Sequence, residues 1–542
     1  VALAAHRVSR LPIAVAAALA ALLLLATPAF GAWSGASQVV GFSSAGNVTA
    51  AIDDDGTQQL GFLAAIAPES AGLYNLTRAP GASAWTSKKV FGPINNGRFA
   101  FARNGAAVLS WQGSGQSIWA AYRPAGKGWG TPAELDNPAK LGIGPVPVIS
   151  AKGAAAVVWS RKSDAGLREP DQVMYSATST GTWNVSPSLL ASIALAQPVN
   201  TEHFLSCLPG SNLVAAMLPS GQPIAAWNDV YGSFKQKVTT PPGENELGAC
   251  GVRAATPGGS PTAVTPRPAI GWNLTPPSEV PFWRPVSIAV DSDSGGTALV
   301  LRGKASALTT SCGTQEVDYC YDSATSFETH ALLGTEAAIA LPGTVTANLA
   351  LVGLRNGFVA AATGSPAALT GGVGTGFPSL TALSPDVPLT SSAIAVGPKG
   401  EAQLVAHAAG ALKTFSATVG SPFTAANEIP TSEATPSLAI GCNGDALVAW
   451  NRGSNGVFAA VNLTGAAQCG GGGGEEPGPG PGPSPTPTPT PGGGQAVAPI
   501  VAPPAPPLVT PKPLKCKKGF QKKTVRGKAK CVKKPAKGKK KR

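Results

Sequence analysis

A tight turn ending in glycine, set between two short apolar runs, recurs along most of this chain: FAFARNGAAVLSW, PVISAKGAAAVVW, LPSGQPIAAW, SLAIGCNGDALVAW. With the glycine as origin, Gly56, Gly105, Gly153, Gly221, Gly296, Gly357, Gly400 and Gly444 mark eight units. Six residues later stand Phe62, Trp111, Trp159, Trp227 and Trp450, in a chain only 6% aromatic, so the pattern is a true repeat. Asn-Gly, Asp-Gly and similar pairs between apolar runs signal hairpins, because the tight turn needs positive φ. The chain is 13% charged, and Gly (66) and Pro (51) make up about a fifth of its 542 residues. That composition excludes a helical bundle or coiled coil, which is rich in charged helix formers.

Each unit continues into a third strand and a fourth that opens on an aromatic residue: Trp85, Trp129, Trp183, Phe327, Phe377 and Phe423, with Phe234 a weaker member. Four antiparallel strands repeated every 43–75 residues describe the blades of a β-propeller. The expected fold is all-β, with eight blades and seven as the fallback. The last unit (SLAIG, DALVAW, VFAAVN) lacks a fourth strand, and the segment from Trp33, WSGASQVVG, supplies one. The N-terminal strand is therefore expected to close the ring and leave no unpaired edge.

On the turn-glycine and aromatic pattern, and on phrases such as RPAGKGWGTPAEL, residues 33–469 resemble secreted bacterial β-propellers of the sialidase-like and NHL-like superfamilies. The resemblance implies the fold; activity has to be argued from a site. Sialidase-like repeats carry a Ser-x-Asp-x-Gly-x-Thr-Trp box between their third and fourth strands, and this chain has no intact copy.

Residues 1–31 read as a signal peptide: His6, Arg7 and Arg10, then apolar Leu11–Ala26, then small residues with a cut expected after Gly31 and Ala29 as the alternative. In an exported chain eight cysteines read as disulfides. Their spacing suggests Cys207–Cys250, Cys312–Cys320, Cys442–Cys469 and Cys516–Cys531. The propeller is assigned to 32–469, a Gly/Pro/Thr-rich disordered linker to 470–511 and a Lys-rich tail to 512–542. The tail holds 16 of the 41 basic residues and no acid, so the rest of the chain carries 25 basic against 28 acidic residues. Lys515, Lys517, Lys518, Lys522, Lys523, Arg526, Lys528, Lys530, Lys533 and Lys534 are the expected polyanion-binding residues. Outside a bacterial cell their partners are anionic envelope polymers or lipid headgroups, and export makes nucleic acid a disfavoured partner. The expected location is secreted or at the cell envelope.

Catalytic signatures are scarce: no G-x-S-x-G, H-E-x-x-H or Walker loop occurs. Asp291-Ser-Asp293-Ser-Gly295 opens like a calcium loop, but Arg302 stands where a bidentate Glu is needed. Asp53-Asp54-Asp55-Gly56 is ordinary turn chemistry. No metal or cofactor is expected. Long segments at 161–172, 188–211, 240–285 and 303–315 are expected as loops on one face, where a glycan or protein ligand would bind. Arg161, Arg168, Trp272, Phe282, Trp283 and Arg284 are the candidate ligand-binding residues. The sequence reading is an exported, non-enzymatic propeller for binding or scaffolding at the cell surface. The alternative is an extracellular glycan-active hydrolase of sialidase-like ancestry.

Overall fold

A computed structural model describes residues 32–469 except 42–45, 47, 65–70, 93, 137–140, 164–170, 194–211, 240–241, 265–278, 292–293, 310–319, 322–326, 334–338, 346–349, 365–368, 376–380, 385–390, 433, 453–454 and 467–468, together with 520–525 and 528–533. The expected signal peptide, linker, Arg168, Trp272, Cys207, Cys312 and Cys516 lie outside the described residues. The chain divides into two compact units, residues 1–475 and 476–542.

The first unit is a seven-bladed β-propeller. Six blades are four-stranded antiparallel sheets, at 49–91, 95–136, 142–192, 350–384, 391–430 and 435–462, the last completed from the N-terminus. The seventh is a nine-stranded sheet within 214–345 that carries two hairpin units. Eight separate blades are therefore not what forms. The fourth unit's second and third strands, Pro223–Thr239 and Pro242–Ala255, run to 17 and 14 residues. At Cys250↔Phe282 the third of these strands pairs in parallel with Glu279–Val290, the first strand of the following unit. The two units thus share one hydrogen-bonded sheet, and the fallback of seven holds.

The turn glycines behave as the repeat requires. Gly56, Gly105, Gly153, Gly221, Gly295, Gly357, Gly400 and Gly444 all have φ between 75° and 91°, so the fifth marker is Gly295 and not Gly296. Much of 240–285 was expected as a loop, yet it forms strand at Pro242–Ala255 and Glu279–Val290. Residues 303–309 likewise end the strand Thr297–Thr309. Phe327 opens the third strand of its unit, Phe327–Leu333, not a fourth.

The repeated aromatics are wedges between blades. Phe62 packs with Leu447 and Ala449 of the preceding blade in the ring, Trp111 with Leu73, Trp159 with Ile118 and Tyr122, Trp227 with Val158 and Val173, and Trp450 with Val405 and Leu412. Burying a side chain of this size contributes roughly 2–3 kcal/mol, so the repeat supplies a large share of the inter-blade adhesion. Three wedges are paired directly across the sheet with a third-strand aromatic: Phe62 with Tyr74, Trp111 with Trp119 and Trp450 with Phe458. Their ring centroids lie 6.1, 6.2 and 6.1 Å apart.

The ring closes as expected. Ser37–Val40 pairs antiparallel with Val457–Asn462, and Trp33 forms a bridge to Asn462. Cys442 and Cys469 are disulfide-bonded on the side of the short turns, which ties the exit of the chain to the turn between the closing blade's first two strands. Cys250, Cys320 and Cys531 lie on described backbone, with side chains outside the description. The second unit contributes one antiparallel hairpin, Phe520–Val525 with Lys528–Lys533. Among the described residues no helix is long and apolar enough to cross a membrane.

Candidate functional site

Second-strand ends and connections from fourth strands emerge on the face opposite the short glycine turns. Arg161 lies there, at the end of Ala155–Arg161, and is already engaged. Its guanidinium donates to Gln172 Oε1 at 2.7 and 3.0 Å and lies 3.5 Å from Asp136 Oδ1 of the preceding blade. Asp136 Oδ2 also accepts from Trp159 Nε1 at 2.9 Å. One buried carboxylate thus clamps both a wedge tryptophan and an arginine across the junction, which gives Arg161 an architectural role.

Of the other candidates, Trp283 and Arg284 are those whose side chains are described. Trp283 is 1% exposed and packs with Ala226, Val252 and Leu301 inside the nine-stranded sheet. Its carbonyl oxygen accepts from Asn228 Nδ2 at 2.6 Å. Packing, rather than stacking on a ligand, is what the Trp283 ring does. Arg284 is half-buried, and of Phe282 only the backbone is described.

The acidic turns act within the frame. Asp53 is buried, and both its carboxylate oxygens lie 2.7 Å from Gln59 Nε2. Gln59 Oε1 in turn accepts from Arg123, whose other terminal nitrogen donates to Asn75 Oδ1 at 2.5 Å. Burial pushes the Asp53 carboxyl up from 3.8 to about 7; the Gln59 hydrogen bond opposes this, Asp55 and Asp54 add to it, and Arg123 opposes it. Burial likewise lowers the Arg123 guanidinium, with Asp53 pulling the other way. Asp291 Oδ2 accepts from Ser294 Oγ at 2.6 Å and from the Gly357 amide of the next blade at 2.7 Å. Among the described residues no three His, Cys, Asp or Glu side chains converge as a metal site would require.

An open cleft lies at the seam where the N-terminal strand pairs into the closing blade, with a volume of about 420 Å³. Gln38 lines it from the N-terminal strand, Gly41 from just beyond that strand, and Arg452, Asn455 and Phe458 from the closing blade. Phe458 stacks on Trp450, and the Arg452 guanidinium carbon sits 5.5 Å from the Phe458 ring centroid. Arg452 Nε donates to Ser432 Oγ at 3.2 Å. Gln38 Nε2 donates to the Asn455 carbonyl oxygen at 2.7 Å, which joins the two walls. Gly456, at φ 103°, lies so close that a Cβ there would stand 2.1 Å from the Val40 oxygen; only glycine lets the turn reach the strand. Sequence reasoning missed these residues. The available signal was closure itself, since pairing WSGASQVVG with VFAAVN brings Gln38 against the NRGSNG turn.

No protein-family model matches the chain, and no curated protein does. Solved propellers align over most of it. An ulvan lyase of polysaccharide lyase family 25, bound to -[GlcA(1-4)Rha3S]-, is 9% identical over 79% of this chain and 95% of its own, with a TM-score of 0.41. An α-L-arabinofuranosidase from Fusarium graminearum is 12% identical over 80% and 98%, with a TM-score of 0.34. A lectin from Burkholderia pseudomallei is 13% identical over 81% and 98%, with a TM-score of 0.35. At this identity the likeness concerns the fold alone and carries over no site residue. The expectation of a non-enzyme is corrected: it rested on the scarcity of familiar motifs alone, which excludes no activity, and the propellers that align with this chain include a lyase and a glycosidase.

Proposed function

We propose that this chain is an exported β-propeller that engages an extracellular polysaccharide at the cleft between its N-terminal strand and its closing blade, with the basic tail holding to anionic envelope polymers. The observation that carries the reading is the cleft's lining: a guanidinium held against an aromatic ring, flanked by the exposed carboxamides of Gln38 and Asn455. Sugars present many hydroxyl groups at fixed angles, and amide and guanidinium groups match them as donors and acceptors. The ring keeps the guanidinium from collapsing, so part of the ordering cost is met before binding. The test is a binding panel of soluble polysaccharides with full-length protein, followed by product analysis to score turnover. Retention of a polysaccharide that Asn455→Ala and Gln38→Ala each weaken supports the reading. Binding that neither substitution alters would place the site elsewhere.

A further inference from the structure

Arg452 differs from two other strand-borne arginines of the propeller, Arg161 at a second-strand end and Arg253 on a third strand. Arg161 faces Asp136, and Arg253 Nε lies 2.5 Å from Asp229. Among the described residues Arg452 has no carboxylate within ion-pair distance. Only its Nε has a side-chain acceptor, Ser432 Oγ. Its planar group is held over Phe458, which itself rests on Trp450. An arginine that lines an open cleft, ordered through its Nε and its ring contact and with no carboxylate partner, offers a fork matched to two oxygens of one anion.

We infer that the cleft selects acidic saccharides, a uronate carboxylate or a sulfate ester taking the two terminal nitrogens of Arg452 while Gln38 and Asn455 meet neighbouring hydroxyls. This rests on the saccharide reading above and adds the class of sugar. It also makes the site a property of the closed ring, because Gln38 comes from the strand that closes it. A bound acidic sugar bridges the two sides of the seam and holds Ser37–Val40 on its partner strand. Ligand and closure are linked: whatever binds only the closed form stabilises that form.

The experiment uses full-length protein and three probes: an oligogalacturonate, a sulfated galactan oligosaccharide and the neutral galactan oligosaccharide of the same length. Affinity is measured by calorimetry, and amide hydrogen exchange is followed over residues 37–40. The basic tail is common to every variant, so differences between variants report on Arg452. Arg452→Gln should weaken the acidic probes at least about tenfold, the scale of one charge-assisted bidentate contact, and should abolish their protection of 37–40. Arg452→Lys, which keeps the charge and the stem over the ring but loses the fork, should fall between. The carboxylate and sulfate arms identify the anion. Equal affinity of Arg452→Gln and the parent for both acidic probes, or no acid-dependent protection of 37–40, overturns the inference. If the neutral probe binds and protects as well as the acidic ones, the saccharide reading stands and the acidic preference falls. If no probe protects the seam, both fall.

Discussion

Asp53 occupies the turn between the first two strands of the first blade, close enough to the next blade's turn that a Cβ on Gly105 would stand 2.9 Å from its Oδ2. Its carboxyl is pushed up to about 7, first by burial. An acid with a higher pKa folded than unfolded holds its proton more tightly in the native state. The associated stability is full below about pH 4 and is lost as pH rises through about 7. Asp53→Asn keeps the shape and an oxygen for Gln59 but removes the titration. The melting temperature of the variant relative to the parent should therefore climb between pH 5 and pH 8, and thermal scans across that range measure it. A gap that does not change with pH would show that Asp53 ionises in the folded protein as it does in the open chain. The same reasoning explains why DDDG reads as a plain turn in sequence. The feature that makes Asp53 unusual is Gln59 and Arg123 closing over it, and Arg123 comes from another blade.

At the level of strands, the hairpin repeat was legible because its two requirements are local: positive φ at glycine and an aromatic six residues on. Closure was legible too, since a missing strand at one end and an orphan at the other have one economical solution. The fusion of two units was not. It depends on a single parallel bridge at Cys250↔Phe282 between strands that sequence spacing had assigned to loops. The cleft was hidden for a related reason: its walls lie more than 400 residues apart, and neither Gln38 nor Arg452 belongs to a motif. The disulfide Cys442–Cys469 spans the closing blade's second and third strands, with a sequence separation of 27. A loop of that size is worth about 3.5 kcal/mol in the chain-entropy account. The double variant Cys442→Ser/Cys469→Ser should unfold at lower denaturant, and exchange of the Val457–Asn462 amides should accelerate. An unchanged midpoint with an unchanged slope would mean that the N-terminal strand alone secures the blade.

For the molecule as a whole, charge is divided sharply along the chain. Residues 512–542 carry 16 of the basic groups and no acid, while the remainder has more acidic than basic residues. Within the tail, the paired strands Phe520–Val525 and Lys528–Lys533 bring Lys522, Lys523, Lys528, Lys530 and Lys533 onto one short hairpin. Self-repulsion opposes such a concentration of like charge, and a polyanion relieves it. The attraction should be strong at low salt and weak at high salt, because exposed charges are screened within about 8 Å at physiological ionic strength. Full-length protein is therefore expected to sediment with isolated bacterial envelopes at low salt and to be released by high salt, whereas protein ending at Cys469 stays in the supernatant. The saccharide cleft predicts a different pattern, since Arg452→Gln leaves the tail intact and should leave envelope sedimentation at low salt unchanged. Equal partitioning of the full-length and truncated forms at low salt would remove the tail as the anchor. A loss of sedimentation in Arg452→Gln instead would make the cleft the point of attachment.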